Sequence, residues 1–162
     1  MRSVGGGTVP PEGVQINDDT GPVKNELTSA YAEGASITLI CLANGGKPLP
    51  RVTWKRDGKS ITNETQYFPE RRKSQSVLRI EKLMRSHLLA MHNCEVSNSV
   101  QSPPLIVRVA IEMYLRPLEV KLLGQNEPLS AGRRIDIVCR CRGSRPPATI
   151  TWWKVSALEY LQ

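Results

Sequence analysis

Aromatic residues are scarce in this chain, with one Phe, four Tyr and three Trp among 162 residues. Its basic segments therefore have no interleaved rings on which bases could stack. No nucleic-acid recognition motif is present either, so the excess of 22 Lys and Arg over 15 Asp and Glu does not indicate DNA or RNA as a partner. Long apolar runs are missing. No window reaches the length of a membrane span, and the opening MRSVGGGTVPPEG has an early Arg but lacks the apolar stretch of a secretory signal. A phosphate-loop glycine motif, a Gly-x-Ser-x-Gly elbow and a nucleophile paired with a base are all absent, which argues against catalysis. Cys139-Arg140-Cys141 is too tightly spaced for a zinc knuckle and has no second ligand pair nearby, so no metal is expected. His87 and His92 are read as structural.

What is present is a spacing. Trp54 follows Cys41 by thirteen residues, and Cys94 follows it by fifty-three. In an immunoglobulin sandwich two cysteines on facing sheets are bridged and an indole packs against the sulfurs, at this separation. The beginning of the pattern recurs: Cys139 is followed thirteen residues later by Trp152, in IVCRCRGSRPPATITWW beside LICLANGGKPLPRVTWK. Repetition at about the size of one sandwich marks a tandem array. The expected fold is all-β, a C2/I-type immunoglobulin-like β-sandwich followed by the first strands of a second, truncated one. Cys41 and Cys94 form the expected disulfide, Trp54 and Trp152 are the expected core tryptophans, and Cys139 and Cys141 are expected to be unpaired. The latter two share a face of one strand, a poor geometry for a mutual bridge.

Period-two alternation fills in the strands. Ser36 to Ala43 places Ile37, Leu39, Cys41 and Ala43 inward, and Arg51 to Arg56 does the same for Val52 and Trp54. Gly45 to Pro50 reads as a loop, because proline gives no N–H to a ladder. Asp57-Gly58 is a tight-turn signal before Lys59 to Thr62. Later strands bring in Leu78 and Ile80, then His92, Cys94 and Val96, then the run from Leu105 to Ile111. After Arg116-Pro117 the alternation restarts at Leu118, Val120 and Leu122. The expected organisation is a flexible lead at 1–13, a complete domain at 14–115, the opening of a second at 116–154 and a divergent tail at 155–162. Stopping in mid-domain, the chain reads as an interior piece of a longer protein, with Met1 not its natural start. Without an opposing sheet, Ile135, Ile137, Ile150 and Trp152 are expected to be uncovered, whereas Trp153 is read as a packing residue on the other face.

An inter-sheet bridge persists only in an oxidising compartment. Asn63-Glu64-Thr65 is an N-glycosylation sequon in a polar stretch, making Asn63 a candidate glycan site. The segments GGKPLPRVTWKRDG, LMRSHLLAMHNCEVSN and above all PLEVKLLGQNEPLSAGRRIDIVCRCRGSRPPATITWWK resemble arthropod Sidestep-family proteins over roughly residues 14–154, most specifically from Pro128 to Trp153. This resemblance implies a type I membrane protein with several extracellular immunoglobulin-like domains, a target-tissue ligand in axon guidance. Its expected partner is a Beaten-path-type immunoglobulin receptor on a facing cell. The present chain would hold the second domain and the start of the third, with a V-type first domain outside it. Two departures stand out: His92 occupies the place of the corner tyrosine two residues before the second Cys, and Cys141 is an additional cysteine.

The net charge of +7 gathers at Arg71-Arg72-Lys73, at Arg133-Arg134 and at Arg140, Arg142 and Arg145. Solvated faces account for such clusters, with a sulfated glycan as the alternative partner. A competing reading from another class is an intracellular structural array of muscle type, built from similar sandwiches with reduced cysteines.

Overall fold

The computed structural model describes residues 6–124, 128 and 130–154. The expected tail 155–162 and the first five residues of the lead lie outside the described residues. The chain divides into two compact units, Met1–Met113 and Tyr114–Gln162.

The first unit is an all-β immunoglobulin-like sandwich. Its strands are β1 (Val9–Asp18), β2 (Gly21–Pro22), β3 (Leu27–Ala32), β4 (Ile37–Lys47), β5 (Arg51–Arg56), β6 (Lys59–Thr62), β7 (Gln66–Phe68), β8 (Lys73–Ile80), β9 (Met91–Ser97) and β10 (Leu105–Tyr114). They form two five-stranded sheets, β2-β1-β4-β8-β7 and β3-β10-β9-β5-β6. Short 3-10 turns at Pro69–Arg71 and Arg85–His87 lead into β8 and toward β9. Alternation decides which side chains are covered: Ile37, Leu39, Cys41 and Ala43 of β4 are buried, as are Val52 and Trp54 of β5, Cys94 and Val96 of β9, and Val109 and Ile111 of β10. Leu78 is also buried, but Ile80 is partly open at the end of its strand.

The two layers are tied at one place. Cys41 of β4 and Cys94 of β9 are joined, with 6.3 Å between their Cα atoms. Trp54 pairs in register with Cys94, and its indole Nε1 donates 3.1 Å across the core to the Ser76 carbonyl of β8. A buried indole N–H needs such an acceptor, and the opposite sheet supplies it. Ser74 and Ser76 also point inward from β8, and their hydroxyls donate to the carbonyls of Pro50 (2.7 Å) and Glu64 (2.8 Å). The polar atoms of this face are therefore satisfied where they would otherwise cost stability.

Two boundaries differ from the sequence reading. Strand β1 begins at Val9, inside the expected lead 1–13, and β4 runs on through Gly45 and Gly46 to Lys47, inside the expected loop. These segments pair with each other, Val9 opposite Lys47 and Pro11 opposite Gly45, with a register shift between Pro11 and Gly13. Strand β2 covers β1 only at Asn17 and Asp18, so Pro10 and Pro11 lie on an open edge where a missing N–H costs no ladder bond. Gly45 adopts φ +70°, and a Cβ there would come within 2.7 Å of the Glu12 side chain. Asp57-Gly58 makes the expected tight connection from β5 to β6, with φ of 50° and 75° as a type I′ turn requires.

In the second unit, β11 (Glu119–Leu123) pairs with β12 (Val138–Arg142), Leu122 opposite Cys139 and Val120 opposite Cys141. Both cysteines are half-buried free thiols. Trp152, a core tryptophan by its spacing but expected to be uncovered without an opposing sheet, is 59% exposed, and Trp153, expected to pack, is 87% exposed. The physical reason is the same for both: the stretch around them is not in a strand, and the second unit has no sheet besides β11-β12 among the described residues. Ile135, Ile137 and Ile150 are uncovered for that reason too. Amide exchange in the intact chain should accordingly be fast throughout β11 and β12 and slow in β4 and β9, as read by hydrogen–deuterium mass spectrometry; protection of β11 and β12 equal to that of β4 would contradict this account.

The bridge closes a 53-residue separation, for which chain entropy predicts a contribution of about 4 kcal/mol. Changing both partners, Cys41→Ala with Cys94→Ala, should therefore lower the unfolding free energy in urea by about that amount.

Candidate functional site: the outer face of the second sheet

The side of β10-β9-β5-β6 that faces away from the core is set by the same alternation that builds the core. Register places Arg108, Asn93, Lys55 and Ser60 in one row across the four strands. The next row holds Ile106, Glu95 and Thr53, and Arg51 lies opposite Ser97 beyond it. None of these side chains is needed for the core, so their chemistry is free to serve contact.

The face is cationic and polar. Lys55 pairs with Glu95 across the strands, while Arg51 and Arg108 have no carboxylate partner among the described residues. Asn93 lies between Lys55 and Arg108 in the row, and its Oδ1 is shielded without a hydrogen-bond donor among the described residues. An acceptor left in that state is costly until something donates to it. A shallow groove of about 460 Å³ opens on this face, floored by Arg51, Thr53, Lys55 and Glu95 and walled by Ser60 and Asn63. Asn63, the sequon asparagine, is exposed at its rim.

The rim is held by the residues just after Asn63. The Thr65 hydroxyl accepts from Val52 N (3.0 Å) and donates to Val52 O (2.9 Å), acting as a strand neighbour for β5. The Glu64 carbonyl is held by Ser76. Spacing alone marked Thr65 as part of a sequon, but its use as a backbone clamp carries no sequence signal of its own.

Two other polar clusters are structural. Asp18 accepts from Thr20 N (2.8 Å), Thr20 Oγ1 (2.6 Å) and Ser29 N (2.8 Å), latching β1 to β3 of the opposite sheet. Burial alone would raise its pKa, but the hydrogen bonds from Thr20 and Ser29 together outweigh burial and hold the carboxyl below its ordinary 3.8. Burial and then the charge of Asp18 push the nearby Tyr31 hydroxyl up to about 12. His92, in place of the corner tyrosine, is 1% exposed and its Nδ1 lies 3.1 Å from the Ala90 carbonyl, so the imidazole reaches back only two residues. No group of three His, Cys, Asp or Glu is arranged for a metal ion among the described residues. The basic clusters are dispersed, with Arg72 paired to Glu12 (2.8 Å) and Arg142 to Glu119 (2.8 Å). No helix of the described residues is long and apolar enough to cross a membrane.

Residues 22–98 match the family described as immunoglobulin domain. The chain is similar to mouse nephrin, 24% identical over 120 residues, covering 74% of this chain and 9% of nephrin. It is also similar to human Brother of CDO, 29% identical over 125 residues, covering 76% of this chain and 10% of that protein. It thus spans about a tenth of the length of these relatives. Among solved structures, the full ectodomain of mouse nectin-like molecule 4 superposes with a TM-score of 0.55 at 15% identity, covering 86% of this chain and 46% of that one, a likeness of fold.

Burial, more than any neighbouring charge, holds the His92 pKa below its ordinary 6.5, with Arg56 and His87 acting in the same direction and the Ala90 carbonyl and Asp57 opposing. The unfolded chain therefore binds a proton that the folded one resists. Stability is fully present above the unfolded value and is lost as the pH falls below it toward the depressed folded value. The thermal midpoint should fall between about pH 7 and pH 5, and His92→Gln should flatten the dependence in that window. Asp18 titrates lower and does not contribute there.

Proposed function

We propose that this chain, an immunoglobulin-like sandwich related to nephrin and Brother of CDO, is an extracellular recognition module of a plasma-membrane protein. Its outer β10-β9-β5-β6 face would dock a protein surface rich in carboxylates. The observation that carries this is the outward placement of Arg108 and Arg51 with no carboxylate partner among the described residues, beside the Lys55–Glu95 pair. A partner supplying carboxylates to Arg51 and Arg108 would satisfy cations that the fold leaves unmatched. The bridge between Cys41 and Cys94 supports an oxidising compartment, and solved relatives of this fold include an ectodomain.

The finer reading is a Sidestep-like ligand in axon guidance and neuronal recognition, with a Beaten-path-type immunoglobulin receptor on the facing cell as partner. The segment from Pro128 to Trp153, with its PLSAGRR, GSRPPA and ITWW runs, supports it.

The test is binding of the secreted chain to the ectodomain of such a receptor on a biosensor surface. Lys55→Glu and Arg108→Glu should each weaken it about tenfold, equivalent to ~1.4 kcal/mol, and make its salt dependence shallower. Lys82→Glu, on a loop away from this face, should leave it unchanged. Equal affinity for all four proteins would overturn the assignment of this face, and reduced thiols at both Cys41 and Cys94 in native tissue would overturn the extracellular reading.

A further inference from the structure

We propose that Asn63 carries an N-linked glycan that lies over the outer groove, so that glycosylation gates the recognition face. The inference rests on the extracellular reading given above. Three observations meet at this position. Asn63-Glu64-Thr65 satisfies the sequon rule, and Asn63 is exposed, so its Nδ2 is open to a glycan. Asn63 also belongs to the wall of the groove whose floor is Lys55, Thr53 and Glu95. The two residues that follow are fixed, Glu64 through its carbonyl to Ser76 and Thr65 through its hydroxyl to both backbone atoms of Val52.

The last observation gives the glycan a direction. A sugar on a mobile loop would sample the solvent around the domain, whereas one rooted beside two clamped residues stays near its point of attachment. That point is on the rim of the groove of about 460 Å³. Hydroxyl-rich sugar over Lys55, Ser60 and Glu95 finds donors and acceptors there, while the apolar side of the sheet is closed to it. In the transfer itself, the Asn63 Nδ2–C1 bond forms as the C1–O bond to a lipid-linked pyrophosphate donor breaks, and the amide proton leaves with the pyrophosphate. The side-chain amide stays neutral, so the charge of the face is unaltered and only access to it changes.

The full chain, secreted from insect cells behind an added signal sequence, provides the test. Intact mass before and after glycosidase treatment reads occupancy of Asn63. Acetylation rates of individual lysines, followed by peptide mass spectrometry, read access to the groove. In glycosylated protein Lys55 should react several-fold more slowly than in Asn63→Gln, while Lys82 and Lys121 react equally in both. Thr65→Ser retains hydroxyl and sequon, and should match the unaltered chain in occupancy and in Lys55 protection. An unmodified Asn63 in the secreted, disulfide-bonded protein would overturn the proposal, as would equal Lys55 rates with and without the glycan. Neither outcome depends on receptor binding, so failure here is distinct from failure of the docking assignment.

Discussion

The contact on which the sandwich depends is the bridge between Cys41 and Cys94 with the Trp54 indole beside it. The sulfurs lock β4 to β9, and the indole carries the same link from β5 to the Ser76 carbonyl of β8. Four strands, two from each sheet, are thereby referred to one point. Every other inward side chain then has a fixed depth, since alternation along each strand is counted from that point. A one-residue slip of β5 would turn Trp54 outward and Lys55 inward, burying a charge and abandoning the bond to Ser76 in a single step.

The same count determines the outer face. Lys55 points out because Trp54 points in, and Asn93 because Cys94 does. The core thus positions a cationic row whose residues it does not use. Strength and the proposed recognition lie on opposite sides of the same strands. The outer side chains are replaceable at small cost to stability, whereas the inner ones are not.

Much of this was legible in the residues. The Cys–Trp–Cys spacing indicated the two layers, and alternation indicated the inward members of β4, β5 and β9. What escaped was pairing that contradicts local propensity. Pro10, Pro11, Gly45 and Gly46 read as lead and loop, yet they pair, because the prolines sit on an open edge and the glycines tolerate positive φ. Asn93 could be assigned to the outer side, but its place opposite Arg108 and Lys55 is known only from the register, and the shielding of its Oδ1 only from the folded structure. Trp152 shows the opposite limit. Its repeat of the Trp54 spacing is real, but a core position requires a facing layer, and the second unit has no sheet besides β11-β12 among the described residues.

Thr65 links the two sides of the sandwich in a way that composition does not show. Its hydroxyl belongs to the Asn63 sequon and is also a clamp on the backbone of Val52, whose side chain is buried beside Trp54. These requirements are separable at Asn63, which is exposed and lines the groove, and inseparable at Thr65, where losing the hydroxyl unpairs both backbone groups of an otherwise satisfied residue. A chain that keeps Thr65 for the clamp keeps half of the sequon without selection for a sugar. The glycan then needs only an asparagine two residues earlier, on a rim that the clamp already holds in place.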